Sequence, residues 1–124
     1  MAVTESRETR TLIAGEDLSS HQFRFVTLES DGQIDKADAA GERCFGIVEN
    51  DPAAGGEATV VVSGKTRIVC GGTIAAGAQI QTDASGEALT AATGDVVMGY
   101  ALEAGVDGQV IAMELIQGGN VVPA

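Results

Sequence analysis

The most constraining feature of this chain is its punctuation: short apolar runs fenced by Gly, Asp or Ser, with nowhere a helical spacing of apolar residues sustained for three turns. Between Gly71 and Gln117 the runs fall at residues 78–81, 96–102 and 109–116. Runs of about four to eight residues, rich in Val and Ile and bounded by turn formers, read as strands. In the last of them Ile111, Met113 and Leu115 would line one face, and Val110, Ala112 and Glu114 the other. The pattern predicts an all-β protein whose sheet is buried well on one side.

The punctuation also repeats. Asp31-Gly32, Ala40-Gly41, Phe45-Gly46-Ile47, Gly55-Gly56 and the run 59–63 recur as Ser85-Gly86, Thr93-Gly94, Met98-Gly99-Tyr100, Gly108 and the run 111–115. The offset is about 52 to 54 residues throughout, as two degenerate copies of one β-unit would give. The expectation is a small β-barrel built of two half-units, pseudo-repeats at about 15–64 and 71–118, with Gly46 and Gly99 equivalent and admitting close backbone approach.

At 124 residues the chain has the length of one domain. Its apolar content of 44% includes 19 Ala, with only three Phe, one Tyr and no Trp. Ala contributes far less burial energy than the roughly 1.5–3 kcal/mol of a Val or Leu, so a core this thin favours completion by subunit contacts. Net charge is −11, and all seven Lys and Arg precede residue 68. Such a surface repels phosphate backbones and argues against nucleic acid as a partner. No run approaches the ~20 apolar residues of a membrane span, which predicts a soluble protein made in the cytoplasm. Cys44 and Cys70 are expected as buried free thiols, and one His with two Cys does not make a structural zinc site.

Along the chain, residues 1–11 are polar and hold no large aliphatic residue except Val3, so they read as an extended arm before a single β-domain at 12–124. Val3, Thr4, Thr9 and Thr11 suit extended structure, while Arg7 and Arg10, flanked by Glu5 and Glu8, offer charge pairs to a partner. The arm is expected to reach away from its own domain. Residues 21–28 read as a strand with Phe23 and Phe25 on one face, and residues 57–70 as two strands joined by a turn at Ser63-Gly64. After Gln117, Gly118-Gly119-Asn120 reads as a turn into a short terminal strand.

No catalytic or cofactor-binding set emerges. Gly64-Lys65-Thr66 lacks the Gly that a phosphate loop needs five residues earlier, where Thr59 stands, and no helix follows it. His21 is the only imidazole, and no Ser sits in a nucleophile elbow. Asp35-Lys36-Ala37 resembles the hairpin-tip tripeptide of lipoyl carrier domains, which implies, as an alternative function, a group carrier with Lys36 as the modified residue; Gln33-Ile34 departs from that family by lacking the upstream acid.

Four stretches taken together carry a different resemblance: residues 75–80, Asp83-Ala84-Ser85-Gly86, residues 97–102 and residues 108–115. With them the chain, from Gly15 to Leu115, resembles the small β-rich capsid decoration, or cement, proteins of tailed bacteriophages. The resemblance implies a β-barrel or β-tulip domain without enzymatic activity. It further implies a homotrimer clamped outside the expanded head at three-fold and quasi-three-fold positions, with the major capsid protein as partner. The composition of residues 1–11 then makes Val3, Thr4, Glu5, Arg7, Glu8, Thr9, Arg10 and Thr11 the expected attachment arm, toward a neighbouring subunit or the major capsid protein.

Overall fold

The computed structural model describes residues 7–117. Nine strands follow in order: β1 (Arg7–Ile13), β2 (Phe25–Leu28), β3 (Ile34–Lys36), β4 (Gly46–Val48), β5 (Glu57–Val69), β6 (Gln79–Thr82), β7 (Ala88–Thr90), β8 (Gly99–Ala101) and β9 (Val110–Leu115). The described residues contain no helix. All the strands join one antiparallel sheet in the order β3-β2-β4-β5-β9-β8-β6-β7, with β1 laid along the other side of β5, and the sheet curls into a half-barrel. The fold is all-β, as the punctuation requires.

The two halves pair alike. β2 with β3, β2 with β4 and β4 with β5 in the first half match β6 with β7, β6 with β8 and β8 with β9 in the second. Phe45 N–H donates to Val26 as Met98 N–H does to Ile80, and Leu18 N–H to Pro52 as Ile74 N–H does to Gly105. The long strand serves both halves: its N-terminal part faces β1, and its C-terminal part, facing β9, occupies the place that β1 has in the first half. Parallel bridges Ala14 to Ile34 and Cys70 to Ala88 follow the two copies of that strand.

Glycine sets this geometry where a side chain would be excluded. A Cβ on Gly46 would lie 2.2 Å from the Val61 carbonyl oxygen, and one on Gly99 would lie 1.9 Å from that of Glu114. Both glycines lie against the final strand of their half, and they pair at matching register on their other side, Gly46 opposite Val26 and Gly99 opposite Ile80. Phe23 shows the converse. It takes φ 61°, the left-handed region, at the place where the second half has Gly77 at φ 83°; Phe23 N–H donates to Val48 as Gly77 N–H does to Ala101. This kink is why the strand expected over 21–28 begins only at Phe25, and why Phe23 does not share a sheet face with Phe25.

The turn expected at Ser63-Gly64 is not one. The chain runs straight through as β5, thirteen residues long, and Gly64 at φ 99° together with a register shift opposite Glu8 and Thr9 forms a bulge within the strand. A bulge strengthens twist, and here it lets one strand serve both half-sheets. The terminal turn and strand expected after Gln117 lie outside the described residues.

Each half has its own small core. In the first, Ala14, Leu18, Val26, Ile34, Val48, Ala58 and Val60 pack together. Their structural counterparts Cys70, Ile74, Ile80, Ala88, Ala101, Ile111 and Met113 are buried in the second, about 53 to 56 residues later. The second core is larger because the other face of the first half-sheet, through Phe25, Ile47 and Val61, packs into it against Ile68, Met98 and Leu115. The turn of the β6–β7 hairpin locks the halves: Phe25 N–H donates to Gly86 (2.7 Å), and Arg24 reaches Glu87 (3.5 Å) and the Ser85 carbonyl (3.2 Å). Phe45, Val62 and Leu12 stay partly exposed on the first core.

Candidate functional site

β1 is the element that stands apart. Six of its seven residues are exposed, on both faces, and only Leu12 is half-buried. Backbone pairing to β5 holds it, from Arg7 opposite Gly64 to Ile13 opposite Glu57. Ala14 N–H donates to Gly56 on the β5 side, 2.9 Å away. Because hydrogen bonding alternates along an antiparallel strand, Leu12 and Arg10 direct their N–H and C=O groups at β5, while Thr9 and Thr11 direct theirs outward. No described strand lies on that outer side. On that side the Thr9 carbonyl accepts from the Arg10 guanidinium at 2.9 Å, and the next backbone contact is Gly15 N–H to Ile34, just past the strand end.

The expected arm residues thus divide. Val3, Thr4 and Glu5 lie outside the described residues. Arg7, Glu8, Thr9, Arg10 and Thr11 form β1 and do not reach away from their own domain, because β5 offers an edge that their extended, β-branched sequence can pair with. The strand also runs two residues past the expected boundary at Thr11. Its charges are engaged locally: Arg7 pairs with Glu49, and Arg10 with Glu8 at 3.2 Å. Exposed pairs of this kind contribute roughly 0–1 kcal/mol each, so they orient β1 more than they anchor it.

Two hollows flank the strand. One, of about 600 Å³, opens beside the start of β1 among Arg7, Phe23, Glu49, Lys65, Thr66, Arg67 and Ala112. In it the Arg67 guanidinium lies 5.9 Å from the centre of the Phe23 ring, and the buried Thr66 hydroxyl has no hydrogen-bond partner among the described residues. The other, of about 730 Å³, lies across the first half between Arg10, Leu28, Phe45 and Val62, with Arg43 and Gln117 at its rim. Neither hollow was legible in the sequence, since each depends on which strands leave an edge or a face uncovered.

The remaining candidates are spatially separate. Lys36 ends β3, half-buried, with its backbone N–H held by the Glu16 carboxylate at 2.9 Å; the tip of its hairpin is Glu29–Gln33, so Lys36 does not stand where a carrier lysine swings. His21 carries a buried Nδ1 without a partner among the described residues, and burial, then Arg24 and Lys36, hold its pKa below the ordinary value. Cys44 and Cys70 are free and buried, and burial pushes the Cys44 thiol up to about 12.

Comparison with known proteins decides the family. The profile of the family described as phage cement protein matches residues 5–115. The chain belongs to that family. A solved structure titled "The crystal structure of head fiber gp8.5 N base in bacteriophage phi29" is similar in fold, with a TM-score of 0.72 at 19% identity, over 93% of this chain and 98% of that one. No curated protein matches the chain. This phage cement family member is therefore a small all-β domain of a kind also found in a phage head protein, and the resemblance carried by residues 75–80, 83–86, 97–102 and 108–115 pointed to the right family.

Proposed function

We propose that this cement-family protein is a non-enzymatic structural component of the capsid exterior, bridging major capsid protein subunits as a homotrimer at three-fold and quasi-three-fold sites. Attachment runs through the β1 arm, with Arg7, Glu8, Thr9, Arg10 and Thr11 in the strand and Val3, Thr4 and Glu5 preceding it. The observation that supports this most is β1 itself: a strand exposed on both faces, presenting the outward backbone groups of Thr9 and Thr11 with no described strand beyond them. Such an edge accepts an added strand from a partner, with affinity from main-chain hydrogen bonds at a net of about 0.5–1.5 kcal/mol each. Three linked copies would multiply these modest contacts through effective concentration.

The test blocks the edge without touching the fold. Proline is tolerated on an edge strand where its missing N–H faces solvent. Thr9→Pro and Thr11→Pro should leave circular dichroism and melting close to wild type, while binding to expanded heads that lack the protein falls at least tenfold. Wild-type decoration by the double variant would refute attachment through β1.

A further inference from the structure

The hollow across the first half has a counterpart in the second half, and there it is filled. Matching the two halves by their strand pairing, Arg10, Leu28, Phe45 and Val62 of the hollow correspond to Thr66, Thr82, Met98 and Leu115. Those four counterparts are 4%, 0%, 1% and 1% exposed, whereas Leu28 is 48% exposed and Phe45 and Val62 are half-buried. Two of those counterparts, Met98 and Leu115, are buried in one cluster with the outer face of the first half, Phe25, Ile47 and Val61, each fully buried. The counterparts of that covering face are Gln79, Tyr100 and Glu114, and all three are accessible, Tyr100 at 38%. Among the described residues there is thus one filled contact between successive half-units, with a groove at one end and a face at the other that no described residue covers.

We propose that these two surfaces meet between copies: the Gln79, Tyr100 and Glu114 face of one molecule seats in the Arg10, Leu28, Phe45 and Val62 groove of the next. The chemistry has shifted in the direction that separate soluble molecules need. Ile47 becomes Tyr100, which is amphipathic, Val61 becomes Glu114, and the buried Thr66 becomes Arg10. Charges complement across the joint. Arg10 and Arg43 at the groove face the sign of Glu114, and the groove acids Glu29, Asp38 and Glu42 face that of Lys65 and Arg67, which flank Glu114 and Ala112 on the opposing sheet. The contact is head to tail, joining different patches, so repetition gives a ring where the rotation closes and an open chain where it does not, and in neither case a two-fold pair; the homotrimer of the proposed function requires the ring. The inference rests on the homo-oligomer part of the proposed function, and its test reads association in free solution, apart from any binding to heads.

Tyr100→Asp spoils the face and Leu28→Asp spoils the groove, both at exposed positions, so each variant should keep the wild-type circular dichroism spectrum. By sedimentation at high concentration the wild type should form a closed oligomer and each variant alone a monomer. An equimolar mixture should yield a heterodimer and nothing larger, because Leu28→Asp supplies an intact face and Tyr100→Asp an intact groove. Should Leu28→Asp unfold, Arg10→Glu reads the same groove. A wild type that stays monomeric up to millimolar concentration would overturn the inference, as would a variant that still assembles or folded variants that fail to pair. Wild-type monomers that nevertheless decorate heads would overturn it and leave the cement reading standing.

Discussion

Gly77 and Phe23 do the same backbone job with unequal ease. An L-residue in the left-handed region costs roughly 1–2 kcal/mol, and Phe23 takes φ 61° while its ring lies under Arg67 at the edge of a hollow. Strain of this kind tends to sit where a surface is used. At Gly77 nothing lies within 4 Å of an added Cβ, so Gly77→Ala should cost only about 1 kcal/mol. Gly99→Ala drives a methyl into the Glu114 carbonyl and should cost about 2–3 kcal/mol, read as a shift in denaturant midpoint; equal midpoints for the two variants would show that the approach of β8 to β9 is not as tight as described. Asp35 gives a pH signature. Burial, then the nearby Glu16 carboxylate, raise its pKa, and its Oδ1 is buried without a partner among the described residues. With the folded pKa above the unfolded one, the ionised form is disfavoured in the folded protein, a penalty full above the folded pKa and absent below the unfolded one. Asp35→Asn should therefore melt higher than wild type at neutral pH, with the gap closing as pH falls below about 4. A gap that persists in acid would mean that the effect is packing and not charge.

At the scale of elements, β1 and β5 carry the argument. The outward and inward alternation on β1 predicts that the amides of Arg10 and Leu12 exchange slowly in the free protein and those of Thr9 and Thr11 quickly, with the second pair gaining protection only on heads. Uniform exchange along the strand would contradict the pairing. The half-units were readable in the sequence because Gly32, Gly41 and Gly55, like Gly86, Gly94 and Gly108, take positive φ at equivalent turns, a demand that glycine meets and writes into the chain. The first strand of each unit was readable as extended but not as part of the repeat. Neither Arg7–Ile13 nor the C-terminal part of β5 holds a turn glycine at a matching place, and Ser63-Gly64 carries turn residues that the fold spends on a bulge. The arm was therefore legible as an extended exposed segment, but its pairing with β5 was not, since register is decided by a distant edge.

For the whole molecule, the shared core means that the halves stand or fall together. Phe25, Ile47 and Val61 of one half are buried against Ile68, Met98 and Leu115 of the other, so unfolding should be one cooperative transition, and Cys44 and Cys70 should react with thiol reagents only through it. Rapid labelling of either cysteine under native conditions would show that the halves open separately. Composition gave an acidic, Ala-rich domain, but which face and groove lie open among the described residues follows from the order in which the half-units stack, which no local pattern records. The central claim, that the domain sits outside a phage head and holds it through β1, is tested most directly by cryo-electron microscopy of expanded heads with the purified protein added back. The account predicts domain-sized density on the outer surface at junctions between capsid subunits, with the Thr9 and Thr11 edge of β1 against the shell. Undecorated heads, or domains docked by another face with that edge open to solvent, would contradict it.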